Sequence, residues 1–209
     1  MPGAAVTPRM APEEVRARVE AAHGLTDPAQ KLCFYDRWAR DYDQLQARGF
    51  LQLHGVDGSP EMLKQAQARG LYQKLSLCTL GQEPLPSPEG TFDVVLIVGA
   101  LSHGQVPCTV IPELLRVTKP GGLLCLTTRT NPSNLAYKEE LEASLDQLEQ
   151  AGAWERLAVQ PVDSWELATS ELEVASGTRA QDGFISGIIY LYRKQMQGVG
   201  GRPQPSADF

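Results

Sequence analysis

Phe92-Asp93-Val94-Val95-Leu96-Ile97-Val98 is an almost unbroken apolar run. Half-buried strands alternate apolar and polar residues, whereas strands covered on both faces do not. The run therefore predicts a strand inside a parallel sheet. Leu123 to Thr128 reads the same way downstream, and between the two Ile111 to Val117 reads as a short helix and Thr118-Lys119-Pro120-Gly121-Gly122 as a turn. Upstream, Leu51 to Val56 alternates weakly as a strand ending at Asp57. Ser59 then caps, and Pro60 opens, a helix to about Arg69 that Gly70 ends. Tyr72 to Leu77 predicts another short strand, and Gly81 to Gly90 a proline-rich loop.

Farther out, Asn134 to Gln150 places Tyr137, Leu141, Leu145 and Leu148 on one helical face, with Gly152 just beyond the end. Leu157 to Val162 and Gly183 to Arg193 predict two more strands, while Asp163 to Asp182 suggests no element. At the N-terminal side, Glu13 to Ala22 and a segment opened by Asp27 and Pro28 read as helices. The second carries Leu32, Tyr35, Ala39 and Tyr42 at helical spacing. Strands alternating with helices argue for an α/β fold on a mainly parallel sheet. The expected organisation is an arm over 1–25, one domain over 26–196 and a disordered Gly/Pro-rich tail over 197–209.

The chain has 209 residues, 42% apolar and 21% charged, with a net charge of -6. That suits one globular domain. No Lys/Arg run suggests a nucleic-acid footprint. Cys33, Cys78, Cys108 and Cys125 form no Cys-x-x-Cys pair and have no histidine at metal-ligand spacing, so neither a zinc site nor a disulfide framework is expected. With no signal-like segment at Met1 to Met10 and no apolar stretch long enough to span a bilayer, the expected location is cytoplasmic.

Open α/β sheets bind ligands beyond the carboxyl ends of their strands. Asp57 stands at such an end, where a carboxylate can accept both hydroxyls of a ribose. Alone, an Asp before a helix cap is more often a turn residue. Its surroundings change that balance. His54-Gly55-Val56-Asp57-Gly58-Ser59-Pro60-Glu61-Met62-Leu63 resembles the second motif of the class I S-adenosylmethionine-dependent methyltransferases. Gln82-Glu83-Pro84-Leu85-Pro86 with Thr91-Phe92-Asp93-Val94-Val95 resembles the third and fourth. Leu115-Arg116-Val117-Thr118-Lys119-Pro120-Gly121-Gly122-Leu123-Leu124 is similar to the motif that follows them, the most specific of the set.

The resemblance covers roughly Leu32 to Thr130, with weaker support to Arg193. It implies a Rossmann-like class I methyltransferase sheet with a late antiparallel strand, which Gly183 to Arg193 could supply. It implies S-adenosylmethionine as cofactor and an unidentified methyl acceptor. By the same resemblance Asp57 binds the ribose, and Gly58 and Met62 flank the adenine. Thr79, Leu80 and Gln82 meet the adenine edge, Val98, Gly99 and Ala100 lie under the methionine part, and Tyr42 closes over the site. Many relatives carry an Asp near the position of Gly81, and here Gln82 or a backbone carbonyl would substitute. No catalytic base and no metal are implied. His103 is the only base near the strand end, and methyl transfer can run on positioning alone.

One part of the family pattern has no counterpart. The first strand of these enzymes ends in a glycine-rich loop of the type Asp-x-Gly-x-Gly-x-Gly, about 20 residues before the acid. No Gly-x-Gly occurs before Asp57, and only Gln44 to Phe50 separate Asp43 from Leu51. A strand, its crossover helix and a second strand need about 30 residues or more. The expectation is an internal deletion near 43–51, a sheet lacking its central first strand, and impaired cofactor binding. A non-catalytic, protein-binding role is the alternative. A nicotinamide-dependent reductase is rejected, because the Tyr-x-x-x-Lys spacing of Tyr190 and Lys194 falls on a strand.

Overall fold

The computed structural model describes residues 49–167 and 184–196. The two expected N-terminal helices, Tyr42, Cys33 and the tail lie outside them. Within them the order is β1 (Leu53–Asp57), α1 (Pro60–Ala68), β2 (Tyr72–Leu77), β3 (Phe92–Leu101), α2 (Ile111–Val117), β4 (Thr118–Arg129), α3 (Leu135–Gln150), β5 (Trp154–Leu167) and β6 (Phe184–Lys194). Local signals set α1: the Ser59 hydroxyl accepts from the Met62 N–H at 3.4 Å, and Pro60 occupies the first turn, where a missing N–H costs nothing.

The strands form two sheets among the described residues. β1 and β2 pair in parallel, and a four-stranded sheet runs in the order β3-β4-β6-β5. β3 and β4 are parallel, while β6 lies antiparallel between β4 and β5. The late antiparallel strand expected from the sequence is β6. The core lies on the face of the larger sheet that carries Ile97, Leu124, Leu126, Ile188, Tyr190 and Tyr192, against Ile111, Leu114, Leu141 and Leu145 of the helices. Val56 and Cys78, at the ends of β1 and β2, pack on the same core.

Three sequence expectations need correction. The run Phe92 to Val98 is not covered on both faces among the described residues, since Ile97 is buried but Leu96 and Val98 are 47% and 58% exposed. The turn Thr118 to Gly122 lies within β4. Phe92 faces Thr118 while Val94 faces Leu123, so four residues loop out against one, and Gly121 takes φ +77° there. The strand expected at Leu157 to Val162 runs from Trp154 to Leu167, so Asp163 to Leu167 extend β5 by pairing Glu166 with Ile185 and Leu167 with Phe184.

The turn into β4 is held from a distance. Lys194, only 9% exposed at the end of β6, donates from Nζ to the carbonyls of Leu115 and Thr118, each at 2.9 Å, and of Arg116 at 3.4 Å. A cation at a helix C-terminus meets the unpaired carbonyls and the negative end of the helix dipole.

Candidate functional site

Nine of the ten expected binding residues fall at the carboxyl end of the parallel strands or on α1, and the tenth, Tyr42, lies outside the described residues. Asp57 closes β1, half-buried, and its Oδ1 accepts from the Ser59 N–H at 2.7 Å. That bond fixes the carboxylate and leaves most of its acceptor capacity free. Gly58 lies beside the end of β2: a Cβ there would stand 3.8 Å from the Cys78 carbonyl oxygen and from Thr79. Met62 sits one turn into α1, partly exposed.

Thr79 to Gln82 form a tight turn. The Thr79 carbonyl accepts from the N–H of Gln82 at 3.1 Å and of Glu83 at 3.2 Å. Gly81 takes φ +83° in van der Waals contact with Pro107, with no space for a Cβ. The loop beyond β2 is thereby locked to the loop beyond β3. The adjoining chain is held by the Leu85 N–H, which donates to Glu113 Oε2 at 2.9 Å. Arg116 in turn donates to Glu113 and to the carbonyls of Leu85 and Ser87. The Arg116 guanidinium holds the Glu113 carboxyl below its usual range, helped by the Leu85 N–H.

Val98, Gly99 and Ala100 end β3. Val98 and Gly99 are exposed, and Gly99 takes φ +70° where the ladder to β4 shifts register between Ile97 and Leu101. Sequence reasoning missed the residues that shape this end. The Gly99 N–H donates to the Thr127 hydroxyl at 2.9 Å, and the Thr128 hydroxyl donates to the Leu101 carbonyl at 2.7 Å. Asn134 accepts from the His103 N–H at 3.0 Å and donates to Thr128 Oγ1 and to the Arg129 carbonyl. All three side chains are buried. A Thr-Thr pair closing an otherwise apolar strand was the available signal, since buried polar groups must find partners. His103 itself is exposed, with no second ionisable group bonded to it among the described residues.

A model described as "Methyltransferase domain" matches residues 38–126. Human methyltransferase-like protein 27 is 63% identical over 193 aligned residues, covering 72% of this chain and 78% of that protein. This chain belongs to the class I S-adenosylmethionine-dependent methyltransferase family. A demethylmenaquinone methyltransferase of Geobacillus stearothermophilus is 36% identical over 93 residues, 42% of this chain and 39% of that enzyme. Among solved structures, a SAM-dependent methyltransferase from Methanosarcina mazei aligns with TM-score 0.50 at 16% identity, covering 74% of this chain and 86% of that one. At that identity the likeness is one of fold.

The family implies S-adenosylmethionine, and the donor set of the described residues matches part of it. The described residues offer a carboxylate and a locked loop on the side of β1 and β2, and a shaped strand end on the side of β3. Between them the family's glycine loop would bring backbone N–H groups close to the ligand. The sequence has no such loop before Asp57, and among the described residues no strand lies between β1 and β3. The described residues therefore offer groups for only part of the cofactor. Among the described residues there is also no cluster of His, Cys, Asp or Glu able to hold a metal, and no helix long and apolar enough to cross a membrane. Cys78, Cys108 and Cys125 are free thiols.

Proposed function

We propose that this chain is an S-adenosylmethionine-dependent methyltransferase by descent whose hold on the cofactor is impaired. The observation that carries this reading is that β1 and β3 belong to separate sheets with no described strand joining them, in a sequence with no Gly-x-Gly before Asp57. Asp57 keeps the chemistry of a ribose acceptor, and Thr79, Leu80, Gln82, Gly58 and Met62 that of an adenosine-facing wall. Among the described residues no glycine-rich loop offers backbone N–H groups to the rest of the molecule.

The length of the human match supports an internal deletion. Its 193 aligned positions draw on only 72% of this 209-residue chain. Roughly forty positions of that relative thus face no residue here, enough for a strand and most of a crossover. Losing a central strand removes hydrogen bonds on both its edges, each about 1 kcal/mol net, from a total stability of about 5–15 kcal/mol. Calorimetric titration with S-adenosylmethionine and its demethylated product tests the reading. Weak or no heat is expected, and micromolar binding of either overturns it. Sequencing transcripts across the codons for Asp43 to Leu51 separates a splice form, in which only some carry the join, from a fixed feature of the gene.

A second reading has its own observation. On β3, Leu96 is 47% and Val98 58% exposed, and the outer edge of the strand has no described partner. Exposed apolar residues along an open edge suit a non-catalytic protein-binding role. Co-purification of a defined partner without cofactor-dependent stabilisation is the result that favours it.

A further inference from the structure

The start of α3 holds the loop after β3 at two points. Asn134, just before the helix, accepts from the His103 N–H at 3.0 Å. One turn on, Tyr137 is 7% exposed, and its hydroxyl donates to the Val106 carbonyl at 2.6 Å. Between these points the loop folds back on its own strand. The Val106 N–H donates to the Ala100 carbonyl at 3.3 Å, and Leu101 and Val106 form an isolated parallel bridge. The next residue, Pro107, lies against Gly81, where an added Cβ would stand 2.8 Å from Pro107 Cδ. Gly81 belongs to the turn in which the Thr79 carbonyl accepts from the N–H groups of Gln82 and Glu83. A buried hydroxyl of α3 is thus joined to that turn through two consecutive residues, Val106 and Pro107.

We propose that Tyr137 is a positioning residue for the Thr79 to Gln82 turn, acting through Val106 and Pro107. The inference rests on the reading of Thr79, Leu80 and Gln82 as an adenosine-facing wall and adds the group that sets where that wall stands. The Tyr137 ring packs in the core, a task phenylalanine would perform as well. The hydroxyl is what differs, and a buried hydroxyl needs a partner. Its partner is a loop carbonyl, so the bond fixes a loop against a helix. Tyr190 makes the contrast: it is also buried, but its hydroxyl donates to Glu142 of α3 at 2.7 Å, a bond between helix and strand with no loop in it. The Val106 carbonyl shares one peptide plane with the Pro107 nitrogen, so the two move together. The Pro107 ring meets Gly81 with no void between them, and close packing passes a displacement on.

The test reads amide hydrogen exchange residue by residue in the full chain. Tyr137→Phe is expected to speed exchange about three- to tenfold at Val106, Gln82 and Glu83, leaving β4 and β6 unchanged. Tyr190→Phe is expected to leave Gln82 and Glu83 as they are. In a Pro107→Ala background, Tyr137→Phe still speeds Val106 but adds nothing at Gln82 and Glu83, because the link between them is cut. Unchanged exchange at Gln82 and Glu83 in Tyr137→Phe overturns the proposal. So does equal acceleration throughout β4 and β6, which is general loosening, or an effect on the turn that persists in full without Pro107. Adenosine tests the same coupling from the other end, since coupling is reciprocal. At saturation it is expected to slow exchange at Gln82, Glu83 and Val106 in the parent, and at Gln82 and Glu83 alone in Pro107→Ala. Protection of the turn without Val106 in the parent also overturns the proposal. Adenosine without effect at any of these amides removes the adenosine-facing reading instead, and exchange in the free chain then decides the positioning role by itself.

Discussion

The imidazole of His54 stands edge-on to the ring of Phe92, with an interplanar angle of 80°. One ring belongs to β1 and the other to β3, so this pair joins the two sheets at the strand starts. An edge-to-face pair contributes about 0.5–1.5 kcal/mol beyond its area. His54→Ala is expected to raise hydrogen exchange in β1 and β2 about tenfold at most, since 1.4 kcal/mol is a factor of ten, and to leave β4 and β6 unchanged. Equal loosening of β6 would mean that the smaller sheet does not open independently.

Lys194 reaches three carbonyls at the end of α2 from the last strand. Hydrogen bonds to charged groups contribute about 1.5–3 kcal/mol. Lys194→Met keeps the stem and removes the donor, leaving buried carbonyls unpaired. A loss of about 2 kcal/mol in urea unfolding is expected, with Lys194→Arg only partly restoring it, because the planar fork does not match three converging carbonyls. A neutral Lys194→Met would show that water replaces the ammonium.

How far each element was legible follows from the reach of its causes. Ser59 and Pro60 announce α1 because capping is local, and β3 is announced by its own apolar run. The loop-out at Lys119 to Gly122 has the sequence of a turn because turn residues are the same whether or not a strand closes around them. Asp163 to Leu167 carried no signal, since their strand state depends on partners at Phe184 and Ile185, far along the chain. The place of Asp57 at a strand end is legible because a strand and a cap flank it, whereas a binding role for it comes only from the resemblance of the surrounding motif. Thr127, Thr128 and Asn134 are not legible, because their importance lies in backbone groups of β3 that only the fold brings near.

Glu113 supplies a pH test. Its carboxylate accepts from Arg116 and from the Leu85 N–H, and its pKa lies below the ordinary value. A depressed folded pKa means the unfolded state binds the proton more readily. The contribution is therefore complete above the unfolded carboxylate range, about 4.3, and is lost as pH falls through the folded value. Urea midpoints taken from pH 6 to 3 are expected to fall more steeply below about pH 4.3 in the parent than in Glu113→Gln. Parallel curves would assign the acid loss to other carboxylates.

The proposed deletion yields a further prediction. On the proposed reading, inserting after Asp43 the residues that human methyltransferase-like protein 27 carries opposite the gap is expected to supply a strand beside β1 and β3 and a loop to the site. If β1 and β3 flank the place of that strand, the insertion lowers exchange at Leu96 and Val98, raises the thermal midpoint and restores cofactor binding together. The three effects share one cause, because the loop is held by the strand that precedes it. Asp57→Ala in the restored chain then separates the site from the scaffold. If the Asp57 carboxylate accepts ribose hydroxyls, affinity is expected to fall by about 1.5–3 kcal/mol, while the exchange at Leu96 and Val98 stays slow. Restored stability without restored binding would place the defect of this chain elsewhere than in the glycine loop.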